Sequence, residues 1–161
     1  MEGHSIPIWR HLLVRSDSTL ADLHFIIQIA FDWTDFHLHR FRIRGKDYGI
    51  SRVGGPWFSN NARDVWLADF RFRINEWFLY EYDFSDGWQH QVRLSESSNL
   101  TESAPTPFVE GQRAAPPEDC GGPLGIPQVP RSYPVGGLQV PMATSGGYRR
   151  VVGSSLVLMD L

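Results

Sequence analysis

The chain has 161 residues, a formal net charge of -3 and 42% hydrophobic residues. That size suits one domain with its own core, and the apolar content excludes global disorder. A single cysteine, Cys120, excludes an internal disulfide framework and a multi-cysteine zinc site, and the acidic balance argues against a dedicated nucleic-acid binder, which takes most of its affinity from phosphate neutralisation.

The N-terminus, Met1 to Ser5, has no basic-then-apolar signal pattern, and the apolar run from Ile26 to Phe31 is too short to cross a bilayer. Cytoplasm is the default compartment. Ile6 to Val14 is rich in strand formers. Ser18 or Thr19 can cap a helix in which Leu20, Leu23, Ile27, Ala30 and Phe31 recur at helical spacing, with Asp22 favourable in the first turn. Phe25, Ile26 and Ile29 make that helix apolar nearly all round. His37 to Arg44 alternates as a strand, with His37, His39, Phe41 and Ile43 on one face and Arg40, Arg42 and Arg44 on the other. Gly45-Lys46-Asp47 turns the chain into a short strand at Tyr48 to Ile50. Ser51 to Asn61 is a loop, and Val65, Leu67 and Phe70 form a short strand or link.

Glu76 to Phe84 and Trp88 to Leu94 form a hairpin, because Asp86-Gly87 is a strong two-residue turn signal. That turn places Ser85 opposite Trp88, Asp83 opposite His90, Glu81 opposite Val92 and Leu79 opposite Leu94. A longer turn would shift the register and separate Asp83 from His90. From about Ser97 onward Pro, Gly and Ser dominate, and Pro127, Pro130, Pro134 and Pro141 exclude a continuous helix.

Several of these segments resemble the plasmid pRiA4b ORF-3-like family: Pro7-Ile8-Trp9-Arg10, Leu20-Ala21-Asp22-Leu23-His24 through Phe31-Asp32-Trp33, His37-Leu38-His39-Arg40-Phe41, Tyr80-Glu81-Tyr82-Asp83-Phe84-Ser85-Asp86 with Trp88 and His90, and Pro116-Pro117-Glu118-Asp119-Cys120-Gly121-Gly122. The resemblance runs from about residue 7 to 125. It implies an α+β domain of an uncharacterised family, some of whose members are labelled transposon passenger or resolvase-like, and it carries over no catalytic residue. Measured against the family, a strand before Pro7 is missing, Phe108 and Ala115 stand where cysteines are frequent, and Ser85 replaces a glycine. The domain reading is therefore residues 1–125, followed by an irregular tail over 126–161 that is frameshifted or disordered. The strand missing before Pro7 would leave an unpaired, aggregation-prone edge.

Two histidines on one strand face can ligate one metal ion, with a third ligand from a neighbouring hairpin. His37, His39 and His90 are the metal-ligand candidates, and Zn, Mn, Fe or Ni would suit them. The alternative is that these histidines sit at the edge of the core and bond to backbone or to Tyr and Asp neighbours. An Asp83–His90 pair could orient a general base, but it has no obvious nucleophile. Asp83, Asp86, Trp88, Glu118 and Asp119 are the candidates for a binding site, with Glu118 and Asp119 held in place by Pro116 and Pro117. The arginine strip with Trp33, Trp57 and Trp66 could bind single strands, but a solvated sheet face fits the charge balance better. The sequence thus points to a single α+β domain, a mostly antiparallel sheet packed on one main N-terminal helix with a Pro/Gly-rich C-terminal region. Its functional reading is a mobile-element-associated binding module for a protein or small-molecule partner. A metal-dependent hydrolase or nuclease is the alternative, and a DNA-binding accessory protein is the third reading.

Overall fold

The computed structural model describes residues 8–53, 55–99, 109–125 and 155–160. Strand β1 (Trp9–Arg15) leads into helix α1 (Leu20–Phe31). Thr19 caps the helix as its sequence suggests: the Thr19 hydroxyl accepts the Asp22 N–H at 3.1 Å, and the Asp22 carboxylate accepts the Thr19 N–H at 2.8 Å. Asp32, in the left-handed region at φ 56°, ends it.

Strands β2 (His39–Ile43) and β3 (Lys46–Gly49) follow as a hairpin. Its two turn residues are Arg44 and Gly45, both at positive φ, the twist that suits a tight hairpin. β4 (Asn60–Asn61) pairs in parallel with β3. Where the sequence suggests a short strand or link, the chain instead forms the one-turn helix α2 (Leu67–Phe70). The Asp69 carboxylate caps it through the Trp66 N–H, and the Leu67 and Ala68 N–H groups bond to Ser18 and Ser16 carbonyls. A single turn is too short for a periodic signal, so it is set by these caps and by burial of Leu67.

β5 (Trp77–Tyr82) and β6 (Trp88–Asn99) make the main hairpin, with β6 running past Leu94 through an irregularity before Glu96. β7 (Val109–Gln112) and β8 (Ser155–Asp160) complete a sheet of order β4-β3-β2-β5-β6-β8-β1-β7 among the described residues. Every pairing except β3 with β4 is antiparallel, so the fold is the α+β arrangement expected. The strand missing before Pro7 concerns residues outside the described ones. The open edge expected beside β1 is filled on both sides, by β7 and β8. Of the tail, residues 126–154 and 161 lie outside the described residues, while 155–160 adds a regular strand.

The core lies between α1 and one face of the sheet. Leu20, Leu23, Ile27 and Phe31 of the helix meet Leu12, Val14, Phe41, Ile43, Phe78, Tyr80, Val92 and Leu94. Each such side chain contributes roughly 1.5–3 kcal/mol when buried. Arg10 also points to this side, 3% exposed. Its Nε donates to the Ala30 carbonyl at 3.0 Å and its guanidinium covers the Phe31 ring, placing a positive charge at the negative end of the helix dipole.

β8 is the sole bridge between β6 and β1 among the described strands. Removing residues 151–161 is expected to part the β1–β7 pair from the rest, lowering the thermal midpoint and causing association through the bared edges. An unchanged midpoint and an unchanged elution volume on size exclusion would contradict the place of β8 at the centre of the sheet.

Candidate functional site

The chemistry-bearing residues gather at one end of the sheet, and the hairpin turn sets their positions. The observed register pairs Tyr82 with Trp88, Tyr80 with His90 and Phe78 with Val92. The turn is therefore five residues, Asp83 to Gly87, not the two expected, and Asp83 does not face His90. Asp83 itself causes the difference. Its Oδ1 accepts the Ser85 N–H, the Ser85 hydroxyl and the Asp86 N–H, and its carbonyl accepts the Gly87 N–H. This side-chain-capped turn outcompetes the Asp-Gly two-residue turn. Burial pushes the Asp83 carboxyl up, but the bonds from Ser85 and Asp86, together with His37, hold it below the usual carboxylate range.

Two further acids pin the loop of residues 116–125, Asp86 to this turn and Glu118 to Thr34 and Tyr82. Asp86 Oδ2 accepts the N–H groups of Gly121 and Gly122 at 3.0 and 2.9 Å. Gly122 is required there: its φ is +71°, and a Cβ would lie 2.1 Å from the Asp86 carbonyl oxygen. Glu118 takes the Thr34 N–H at 2.9 Å and the hydroxyls of Thr34 and Tyr82. Burial pushes Glu118 up, but these hydrogen bonds keep it ionised to lower pH. Trp33 Nε1 donates to the Pro116 carbonyl at 2.9 Å. Three loops, residues 32–38, 83–87 and 116–125, are thereby tied together. Half-buried Cys120 packs against the core with its Sγ 4.0 Å from the Gly122 carbonyl.

Beneath this end lies a buried polar network. Tyr80 accepts from Gln28 at 3.0 Å and meets His24 Nδ1 at 2.8 Å. His24 Nε2 lies 2.9 Å from Asp35, whose carboxylate also pairs with Arg52 at 2.5 Å. His39 stacks on His24 with ring centroids 3.5 Å apart and planes 11° apart. Burial lowers His24 despite its bond to Asp35. Burial also pulls His39 down to about 2, with the nearby His24 next in effect, and pulls His90 down to about 4, with Arg10 adding to it.

The three expected metal ligands therefore do not converge. His39 is 2% exposed beside His24, and His90 lies between Phe31, Trp33 and Tyr80. His37 keeps company with Asp83 and Asp119 instead, with Nδ1 3.6 Å from Asp83 Oδ1 and Nε2 2.7 Å from Asp119 Oδ1. Among the described residues two sets bring ligand-type atoms within 4.8 Å of one another: His24, Asp35 and His39, and His37, Asp83 and Asp119. Of the expected binding residues, Asp83, Asp86 and Glu118 fix loops, Trp88 is a core residue at 6% exposure, and Asp119 stays open to solvent at φ 60°. The sequence reading misses His24, Gln28, Asp35 and Arg52. A signal exists for the first two: they follow Leu20 at four-residue steps, so they are polar residues on a core-facing helical stripe. The arginine strip is neutralised, Arg40 by Glu81 and Asp47, Arg42 by Asp47 and Arg44 by Glu76.

A mostly antiparallel sheet under one main helix, with three loops clamped by acids at one end, defines the class of α+β domain. The chain belongs to the plasmid pRiA4b ORF-3-like family, whose profile matches residues 1–132. It is similar to "Uncharacterized protein y4hQ" of Sinorhizobium fredii (strain NBRC 101917 / NGR234), at 32% identity over 124 residues covering 76% of this chain. The chain spans 64% of the length of that relative. It is also similar to the crystal structure of MM3350, a protein of unknown function from Methanosarcina mazei Go1, at 36% identity and a TM-score of 0.66, covering 77% of this chain and 71% of that one. No helix among the described residues is long and apolar enough to cross a membrane.

The buried histidines give the fold a pH dependence of definite sign. In the unfolded chain histidine takes up protons below about pH 6.5, whereas folded His39 stays neutral down to about 2. The stability it confers is present above the unfolded value and is lost as pH falls from there toward the folded one, at up to about 1.4 kcal/mol per pH unit for one proton. The urea midpoint should therefore drop between about pH 7 and about pH 5, and His39→Phe should flatten that slope by about one proton. An equal slope in the variant would show that His39 is not the buried titrating group.

Proposed function

We propose that the protein is a non-catalytic binding module whose recognition surface is this clamped end. The observation that carries the reading is how its side chains are used. Asp83, Asp86 and Glu118 are engaged in holding loops, while large apolar side chains next to them in sequence stand in solvent. Phe36 is 81% exposed, Leu124 101% and Phe84 44%. Each neighbours a clamped residue: Phe36 lies beside His37, Phe84 beside Asp83, and Leu124 two residues beyond Gly122. Apolar groups on a pre-ordered backbone bind at low entropic cost, so exposed apolar side chains on these tied loops favour an interaction surface.

Acid–base or nucleophilic chemistry finds less support at this end. The Ser85 hydroxyl donates to the Asp83 carboxylate at 2.6 Å and not to an imidazole, so no base activates it as a nucleophile. Nucleic-acid binding finds little, because the arginines of β2 are already paired with acids.

A photo-crosslinking residue placed at Phe36 or Leu124 in the full chain, expressed in its source cells, should give the same discrete crosslinked species from both positions. The same probe at Trp77, which is 57% exposed on β5, should not. No adduct at Phe36 and Leu124, or an equal pattern at Trp77, would refute the assignment of the recognition surface.

A further inference from the structure

At the clamped end several acids lie close together without an arginine or lysine partner among the described residues. Asp17, Asp35, Asp47, Glu76 and Glu81 all pair with arginines. Asp83 and Asp119 have only the His37 imidazole, and neither Asp86 nor Glu118 has any Lys or Arg partner among the described residues. Asp83 is 2% exposed, so its charge is held in a site of low dielectric, where an unpaired carboxylate is costly. All its local bonds go to Oδ1, and Oδ2 takes none of them.

A second observation is independent of the charge. His37 Nε2 is cut off from solvent and has no hydrogen bond, although Asp119 Oδ1 lies only 2.7 Å away. The two groups are at ion-pair distance but are not joined by a hydrogen bond. A ring nitrogen withdrawn from water and left without a hydrogen bond, with one carboxylate oxygen beside it and the Asp83 carboxylate at the other ring nitrogen, calls for a missing partner. An acceptor nitrogen with two anionic oxygens calls for a cation, and the mixture of imidazole and carboxylate selects first-row divalent ions over Ca²⁺ or Mg²⁺.

The neighbouring set of His24, Asp35 and His39 also holds a buried ring nitrogen without a hydrogen bond, His39 Nε2, but it is a poorer host. Both His24 nitrogens already face partners, Tyr80 and Asp35, and the Arg52 guanidinium sits 2.5 Å from the same Asp35 oxygen. The nearly parallel stack of His24 and His39 directs the in-plane lone pairs alongside one another, so one ion cannot lie in both ring planes.

We infer that His37, Asp83 and Asp119 form a binding site for one divalent transition-metal ion of the Zn²⁺ or Mn²⁺ type at the clamped end of the sheet. His37 supplies the neutral nitrogen, Asp83 the buried carboxylate and Asp119 the solvent-side carboxylate, which leaves the outer side of the ion open. The site deepens the reading of this end as a recognition surface and shares its location. The crosslinking pattern above does not depend on metal, so either can fail without the other.

The test uses the full chain, stripped with chelator and dialysed, and titrated with Zn²⁺ by calorimetry and with Co²⁺ by visible absorption. One equivalent of each ion should bind. His37→Gln and Asp119→Asn should each weaken binding at least ten-fold while circular dichroism stays unchanged; Asp119 is exposed, so its variant tests the site even if His37→Gln alters folding. His39→Gln should leave the affinity within about two-fold. Failure of the parent chain to bind either ion would overturn the site, as would full affinity in Asp119→Asn. Loss confined to His39→Gln would overturn it by moving the ion to the other histidine set.

Discussion

Asp83 Oδ1 takes three hydrogen bonds, two from N–H groups and one from the Ser85 hydroxyl, and the arrangement of the whole working end follows from them. They make the hairpin turn five residues long. The register then sets Tyr82 opposite Trp88, which brings the Tyr82 hydroxyl to Glu118. Asp86 is carried to the place where it receives Gly121 and Gly122. A turn of two residues would slide every side chain of β6 past its partner and reverse the faces they occupy. The acids at this end therefore serve first as braces, and what they hold up is a set of loops whose outer residues are apolar.

Beneath the braces, the helix and sheet meet through a polar layer where an apolar one would be simpler. Gln28, His24 and Tyr80 satisfy one another, and Asp35 with Arg52 closes the network at the surface. Burial raises the Tyr80 phenol well above its ordinary value, so the phenol stays protonated. A satisfied buried network of this kind fixes one packing of helix on sheet, because any other would strand its donors and acceptors. It also gives residues 32–38 a fixed starting point: the Asp35 N–H bonds to the Gln28 side chain, and Trp33 reaches Pro116 from the same stretch. The layer thus links the helix to the loop that carries Phe36 and His37.

Much of this fold is legible in the sequence. The Thr19–Asp22 capping box, the helical spacing from Leu20 to Phe31 and the alternation around Phe41 fix α1 and β2, because cap chemistry and periodicity are local. The hairpin is legible as a hairpin, but its register is not, since Asp-Gly and an Asp-led turn compete and only the bonding of Asp83 decides. Helix α2 is hidden because one turn has no period. β8 is hidden because its pairing with β6 and β1 joins residues far apart in sequence. For the candidate site, the identity of the polar residues at 37, 83, 86, 118 and 119 can be read from composition and motif. Their division of labour cannot, because it depends on which backbone N–H groups each carboxylate meets. His39 and His90 look like ligands in one dimension; in the structure His39 is buried in the core and His90 packs, partly buried, against Phe31, Trp33 and Tyr80.

The loops at 32–38, 83–87 and 116–125 behave as one braced body. Amide hydrogen exchange at Thr34, Gly121 and Gly122 measures this directly, since their N–H groups are the ones the Glu118 and Asp86 carboxylates accept. Slow exchange is expected at all three, with protection lost together when Asp86 or Glu118 is replaced by Ala, while core amides of β5 stay protected. Exchange at unprotected loop rates in the parent chain would contradict it.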